Sequence, residues 1–204
     1  MKRFGTLLVL TVLACGSAGG ALAQAGRPAA PDTMRAALRF TPADVDFMTG
    51  MIAHHAQAVA MARWAPSHGA SPTVQTLCAR IINAQGDEIV LMQNWLEDKH
   101  QPVPQPDPRG MHMAGMDQPM LMPGMLTPLQ MAQLDSARGM RFDELFLRFM
   151  IQHHHGAVDM VNHLFGTGAG EEETVNKLAL GIFADQTTEI ARMQGMLGTL
   201  VFSH

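Results

Sequence analysis

Met51-Ile52-Ala53-His54-His55 returns later in the chain as Met150-Ile151-Gln152-His153-His154, and its neighbours return with it. At one constant offset Asp44 matches Asp143, Phe47 matches Phe146, Ala58-Val59 matches Ala157-Val158 and Met61 matches Met160. A second set, Gln85, Glu88, Ile89, Met92 and Leu96, matches Gln186, Glu189, Ile190, Met193 and Leu197. Both sets carry apolar residues at helical spacing, so each copy predicts a helix followed by a companion helix. Pairing two such αα-hairpins buries both apolar faces, and the expected fold is an all-α four-helix bundle.

Punctuation in the sequence places the helix ends. Thr41-Pro42-Ala43-Asp44 supplies a cap, a proline for the first helical position and an acid three residues after the cap. That helix should end near Ala65, before Pro66 and Gly69, and Ser71-Pro72 should start the next, running toward His100. Thr127-Pro128-Leu129-Gln130 repeats the capping grammar with glutamine in the capping-box position. The helical stretch that follows should bend or break near Gly139 and resume through Phe142 to about Phe165. Glu171-Glu172-Glu173 favour the start of a last helix by complementing its dipole. The expected layout is a bundle over 41–203, with a first hairpin at 41–100, a Met-rich linker at 101–126 and a second hairpin at 127–203.

The beginning of the chain reads as a secretory leader over 1–23. Lys2-Arg3 precede an apolar run from Phe4 to Ala14, and Ala21-Leu22-Ala23 offers the small-x-small cleavage pattern. Residues 24–40, rich in Ala, Pro and Gly, read as a flexible lead-in. Cys15, preceded by Val12-Leu13-Ala14, offers lipid anchoring as the alternative to release. The expected location is therefore secreted or periplasmic, with no spanning segment after cleavage. Loss of Lys2 and Arg3 takes the net charge from −4 to −6 with histidine neutral. An acidic chain without a basic patch is unsuited to nucleic acid and attracts cations instead. Cys78 is then the one cysteine left, so no internal disulfide is available. It reads as an inert core thiol.

Methionine is the unusual residue, with 18 Met against no Tyr. Met51, His54, Ala58 and Met61 fall on one helical stripe, and Met150, His153, Ala157 and Met160 repeat it. His55 and His154 flank the stripes, while Glu88 and Met92, like Glu189 and Met193, stand one turn apart on the companion helices. Facing inward, these side chains would gather thioether, imidazole and carboxylate around a common point. Thioether sulfur prefers Cu(I) or Ag(I), and imidazole also accepts Cu(II). Taken singly, methionines at this spacing are core filling. Paired histidines recurring in matched places are harder to explain by packing. The linker adds Met111, His112, Met113, Met116, Met120, Met122 and Met125 in a Gly/Pro-containing loop with no core face to fill. It reads as a tether for a soft metal ion, chiefly Cu(I).

The two Phe-x-x-x-Met-Ile-x-His-His-x-x-Ala-Val segments resemble the domain of unknown function 305 (DUF305) family. The second copy, from Phe142-Asp143 to His153-His154-His155-Gly156-Ala157, is the closer match. The Gln-x-x-Glu-Ile-x-x-Met pattern at Gln85 to Met92 and at Gln186 to Met193 is similar to the family too. The first copy departs at Ala56-Gln57, where the commoner pattern has a polar residue and glycine. The resemblance spans about Thr41 to Leu200. It implies a secreted, ferritin-like four-helix bundle, and the family's copper-binding members imply copper handling and resistance in the periplasm.

The expectation is thus a non-enzymatic copper protein that buffers or delivers the ion, with other periplasmic copper-handling proteins as partners. Two alternatives stand beside it. A ferritin-like di-metal oxidase would need Glu-x-x-His on two helices, but Leu91 and Arg192 occupy the third position after Glu88 and Glu189. A structural or stress-related envelope protein would use the histidines for packing alone.

Overall fold

The computed structural model describes residues 39–112 and 115–202. The expected leader and most of the expected lead-in lie outside these residues, as does Met113. The described residues form five helices and no strand, so the all-α expectation holds. We label them α1 (Pro42–Arg63), α2 (Pro72–Asp98), α3 (Pro128–Ser136), α4 (Gly139–Gly166) and α5 (Glu173–Phe202). An isolated antiparallel bridge joins Met111 to Met120 in the linker.

The caps act as the sequence suggests. Thr41 and Asp44 form a reciprocal capping box, and Thr127 and Gln130 form another, each with proline in the first turn behind the cap. Each box satisfies backbone donors that a helix start otherwise leaves open. Ser71 caps α2 through its hydroxyl. The Glu172 carboxylate accepts from the backbone N–H of Thr174 and Val175 where α5 begins. The break expected near Gly139 is a full one. α3 stops at Ser136, and Gly139, at φ 56, donates its N–H to the His68 carbonyl at 2.8 Å.

α1 packs on α2, α4 packs on α5, and the hairpins meet along α1 and α4. Their apolar side chains form two separate clusters. One joins the first half of α1 (Phe47, Met48, Met51) to the second half of α4 (Ala157, Val161, Leu164). The other joins the end of α1 (Met61, Ala62) to the start of α4 (Phe142, Phe146, Met150). Cys78 lies in this second cluster, where burial pushes its thiol up to about 12. Between the clusters, at mid-height, lies a layer of buried polar side chains that includes His54, His55, His153 and His154.

Two buried aspartates tie the hairpins to each other. Asp44 Oδ1 accepts from the Gly170 N–H in the α4–α5 turn at 2.8 Å. Asp143 accepts from the Ser71 N–H in the α1–α2 turn, at 3.2 Å to each carboxylate oxygen. Hydrogen bonds to charged groups contribute about 1.5–3 kcal/mol each, so these ties hold the α1–α4 register that sets the histidines face to face. Among the described residues no helix is long and apolar enough to cross a membrane.

Candidate metal centre

The two His-His pairs meet where α1 crosses α4. The His54 and His153 rings lie 3.8 Å apart between centroids, and His55 and His154 stand 6.2 and 6.3 Å from their chain neighbours. All four side chains are fully buried. The companion helices supply one carboxylate each. His55 Nε2 donates to Glu88 Oε2 at 2.7 Å, and His154 Nε2 donates to Glu189 Oε2 at 2.7 Å. The linker supplies a third acceptor, the Pro123 carbonyl, which accepts from the His54 Nε2–H at 3.0 Å.

These bonds decide which nitrogen is free. A carbonyl or a carboxylate accepts, so the proton belongs on Nε2 and the lone pair on Nδ1. Nδ1 of His54, His55 and His154 is in each case buried without a hydrogen-bond partner, and both nitrogens of His153 are as well. Tying one ring nitrogen to a carboxylate or carbonyl, with the other left as donor, is the usual support of a metal-binding histidine. Electrostatics keeps the lone pairs available. Burial and then the neighbouring imidazoles hold His54 and His153 well below the ordinary histidine value. Burial also lowers His154, against the opposing pull of Glu189. Neutral rings are the ligating form.

The methionines divide into three groups. Met51 and Met92 pack in the first apolar cluster, and Met61, Met150 and Met193 in the second; all five are fully buried. Met51 and Met150 each precede their His-His pair by one turn, which places them at the edges of the polar layer. Met122 and Met160 come together over Gly50: the Met122 sulfur and the Met160 methyl lie 3.0 and 3.4 Å from the point a Gly50 Cβ would occupy. Gly50 sits one turn before His54, so a linker sulfur is carried to the flank of the histidine layer. Met125 is buried, and its sulfur accepts the Met122 N–H at 3.3 Å.

The remaining linker residues stay apart from this layer. Met116 and Met120 are exposed, and the backbones of Met111 and Met120 pair with each other. His112 Nε2 bonds Asp107 at 2.6 Å, on a carboxylate that the Arg109 guanidinium holds well below its usual range. Among the described residues no three His, Cys, Asp or Glu side chains are grouped as ligands of one ion. An ion held at this layer would therefore need at least one further donor besides imidazole, and thioether sulfur is the soft donor at its flank.

Sequence reasoning missed three participants. Gln57 anchors the linker, donating to the carbonyls of Pro108 and Leu126 and accepting the Leu126 N–H at 2.6 Å. Gly156 lets the linker backbone lie against α4, since a Cβ there would stand 2.0 Å from the Pro123 oxygen. The departure of the first copy at Ala56-Gln57 was the available signal for both. His68, buried in the α1–α2 turn, donates to the Asp135 carbonyl at 2.9 Å. Glu97 and His100 have Glu-x-x-His spacing, but both are exposed at the end of α2 and away from the histidine layer.

Comparison with known proteins gives the family. The sequence model of the DUF305 family, a domain of unknown function, matches residues 44–197. The chain belongs to that family. A DUF305 fragment from Deinococcus radiodurans is 31% identical, with a TM-score of 0.65 over 78% of this chain and 98% of that one. CopM in its Cu(I)-bound form is 28% identical, with a TM-score of 0.60 over 79% of this chain and 98% of that one. CopM in its Cu(II)-bound form is 31% identical, with a TM-score of 0.61 over 76% and 96%. No curated protein matches the chain.

Proposed function

We propose that this protein is a non-enzymatic copper carrier of the cell envelope, which buffers or delivers copper and so confers resistance to it. The observation that carries the reading is the set of buried imidazoles whose Nδ1 lone pairs are free while the opposite nitrogens are tied to Glu88, Glu189 and Pro123. That donor set suits copper, and the Met122 sulfur at its flank, with the Met160 side chain against it, favours Cu(I). Met51 and Met150 are within one turn. Met61, Met92 and Met193 would enter only if the apolar clusters opened. Met111, His112, Met113, Met116 and Met120 would act as an outer tether that gathers the ion before it reaches the layer. The likeness to CopM, which is known bound to Cu(I), Cu(II) and silver, supports the metal class.

The leader at 1–23 supports release to the periplasm, where exposed methionine is open to oxidation to the sulfoxide, with loss of its soft-metal affinity. Titration of Cu(I) against a chromophoric chelator tests the reading. The protein should bind below about 1 μM. Replacing the four motif histidines together with the linker methionines should weaken binding by at least roughly 100-fold. An unchanged affinity in that variant would remove the proposed ligands from consideration.

A further inference from the structure

The contact between hairpins is unequal. α1 and α4 pack closely, while α2 and α5 leave a cleft of about 240 Å³ on the opposite side. Its wall carries three acids, Glu88 from α2 and Asp185 and Glu189 from α5. Glu88 and Glu189 each give one oxygen to a histidine behind them, which leaves the second oxygen of each for the cleft. Acids gathered on a wall are not by themselves a site. The independent observation is the pair of glutamines that line the same cavity. Gln85 and Gln186 are each 2% exposed, and Gln85 Oε1, Gln85 Nε2 and Gln186 Oε1 have no hydrogen-bond partner.

Two buried, unpartnered amide oxygens on residues that line a small cavity of negative charge are an arrangement that folding alone does not reward, because an unsatisfied amide is costly to bury. A cation accounts for both features. It would take the amide oxygens as neutral ligands and offset the repulsion among the carboxylates. Asp185 shows that repulsion: burial and then Glu88 and Glu189 raise its carboxyl above the ordinary range. Arg80 and Arg192 line the end of the cleft that adjoins the next cavity toward Met196, so the cation would sit at the Asp185 end.

We propose that the α2–α5 cleft is a second cation site, built of oxygen donors from Gln85, Gln186, Glu88, Glu189 and Asp185, for a divalent ion that prefers oxygen to sulfur. Such ions are held by one or two carboxylates with carbonyl oxygens and water completing the shell, so the site does not need all three acids on one ion. It is chemically distinct from the imidazole and thioether layer behind it, and it stands whether or not that layer takes Cu(I).

Mn(II) is the probe, since it favours oxygen ligands and its free form has a sharp paramagnetic resonance signal. Titrating Mn(II) into the full metal-free chain should quench that signal with one ion bound. D185N should weaken binding by about tenfold, and the double variant Q85L/Q186L by roughly 10- to 100-fold. The leucine pair conserves volume and removes unpartnered polar atoms, so it should fold at least as stably as the parent. In both variants Cu(I) affinity, measured separately, should stay within about twofold. Mn(II) binding weaker than about 1 mM, or Mn(II) binding unchanged in both variants, would overturn the site. A parallel loss of Cu(I) affinity would show one site rather than two.

Discussion

The two copies of the His-His motif are held alike by their companion helices and differently by the linker. His55 and His154 make the same bond, at the same 2.7 Å, to Glu88 and Glu189. Asp44 and Asp143 cap each other's hairpin turn. The linker has no twin, and it breaks the symmetry. It meets α1 through Gln57 and His54, which bind its backbone, and it meets α4 through Gly156, which makes room for it. His153, opposite His54, is left with neither nitrogen bonded. What repeats is the frame that points four imidazoles at one another, and what differs is how a single loop is seated over that frame.

The frame shared by both copies should dominate the response to acid. Burial lowers His54, His153 and His154 in the folded protein, while in the unfolded chain they titrate near the ordinary value of about 6.5. The unfolded state therefore binds more protons below that pH. The stability contributed by these rings is complete above about 6.5 and is lost as pH falls toward their lowered values. Each strongly lowered ring can remove up to about 1.4 kcal/mol per pH unit, so His54 and His153 should cost metal-free protein up to about 3 kcal/mol between pH 6 and pH 5, with His154 adding in the same direction. Urea unfolding across that range measures it, and a flat profile would mean that the layer is not held neutral.

Gly156 tests the asymmetry next. An added methyl would meet the Pro123 oxygen at 2.0 Å and Gly124 Cα at 2.6 Å, and all of these atoms belong to backbone. Gly156→Ala should destabilise by about 3 kcal/mol and leave the linker open to proteolysis between Pro108 and Leu126. Unaltered protease resistance would show that the loop does not depend on this approach. On the other side, Gln57→Ala should cost about 2 kcal/mol by stripping partners from the Leu126 backbone. Thermal melts of the two variants rank the two anchors.

Much of the frame could be read from the residues. Thr41-Pro42, Ser71-Pro72 and Thr127-Pro128 announce helix starts through local chemistry that needs no tertiary context. Apolar spacing gave the lengths of the long helices. The histidine pairs and their glutamates were legible because helical spacing fixes which side chains share a face. The rest was not, because it depends on contacts between distant segments. Nothing local says that Asp44 serves Gly170, or that His68 will find Asp135. Nor does composition reveal which methionines are core and which are carried to the histidines. Met61 and Met160 occupy matched positions, yet Met61 is sealed in a cluster while Met160 is half-buried beside Met122. The linker's path makes that difference.

The smallest effect is also the sharpest control. If Gly156 matters only because the linker lies against it, a helical glycine with nothing opposite should behave in the reverse sense. Gly181 is exposed in the middle of α5, and no atom lies within 4 Å of a Cβ placed there. Alanine at that position limits the unfolded chain more than the folded one and gains intrinsic helix propensity, so Gly181→Ala should stabilise by up to about 1 kcal/mol. The same substitution then has opposite signs on α4 and α5. A loss of stability at both positions would point to a general intolerance of added volume along these helices, and Gly156 would no longer mark where the linker docks.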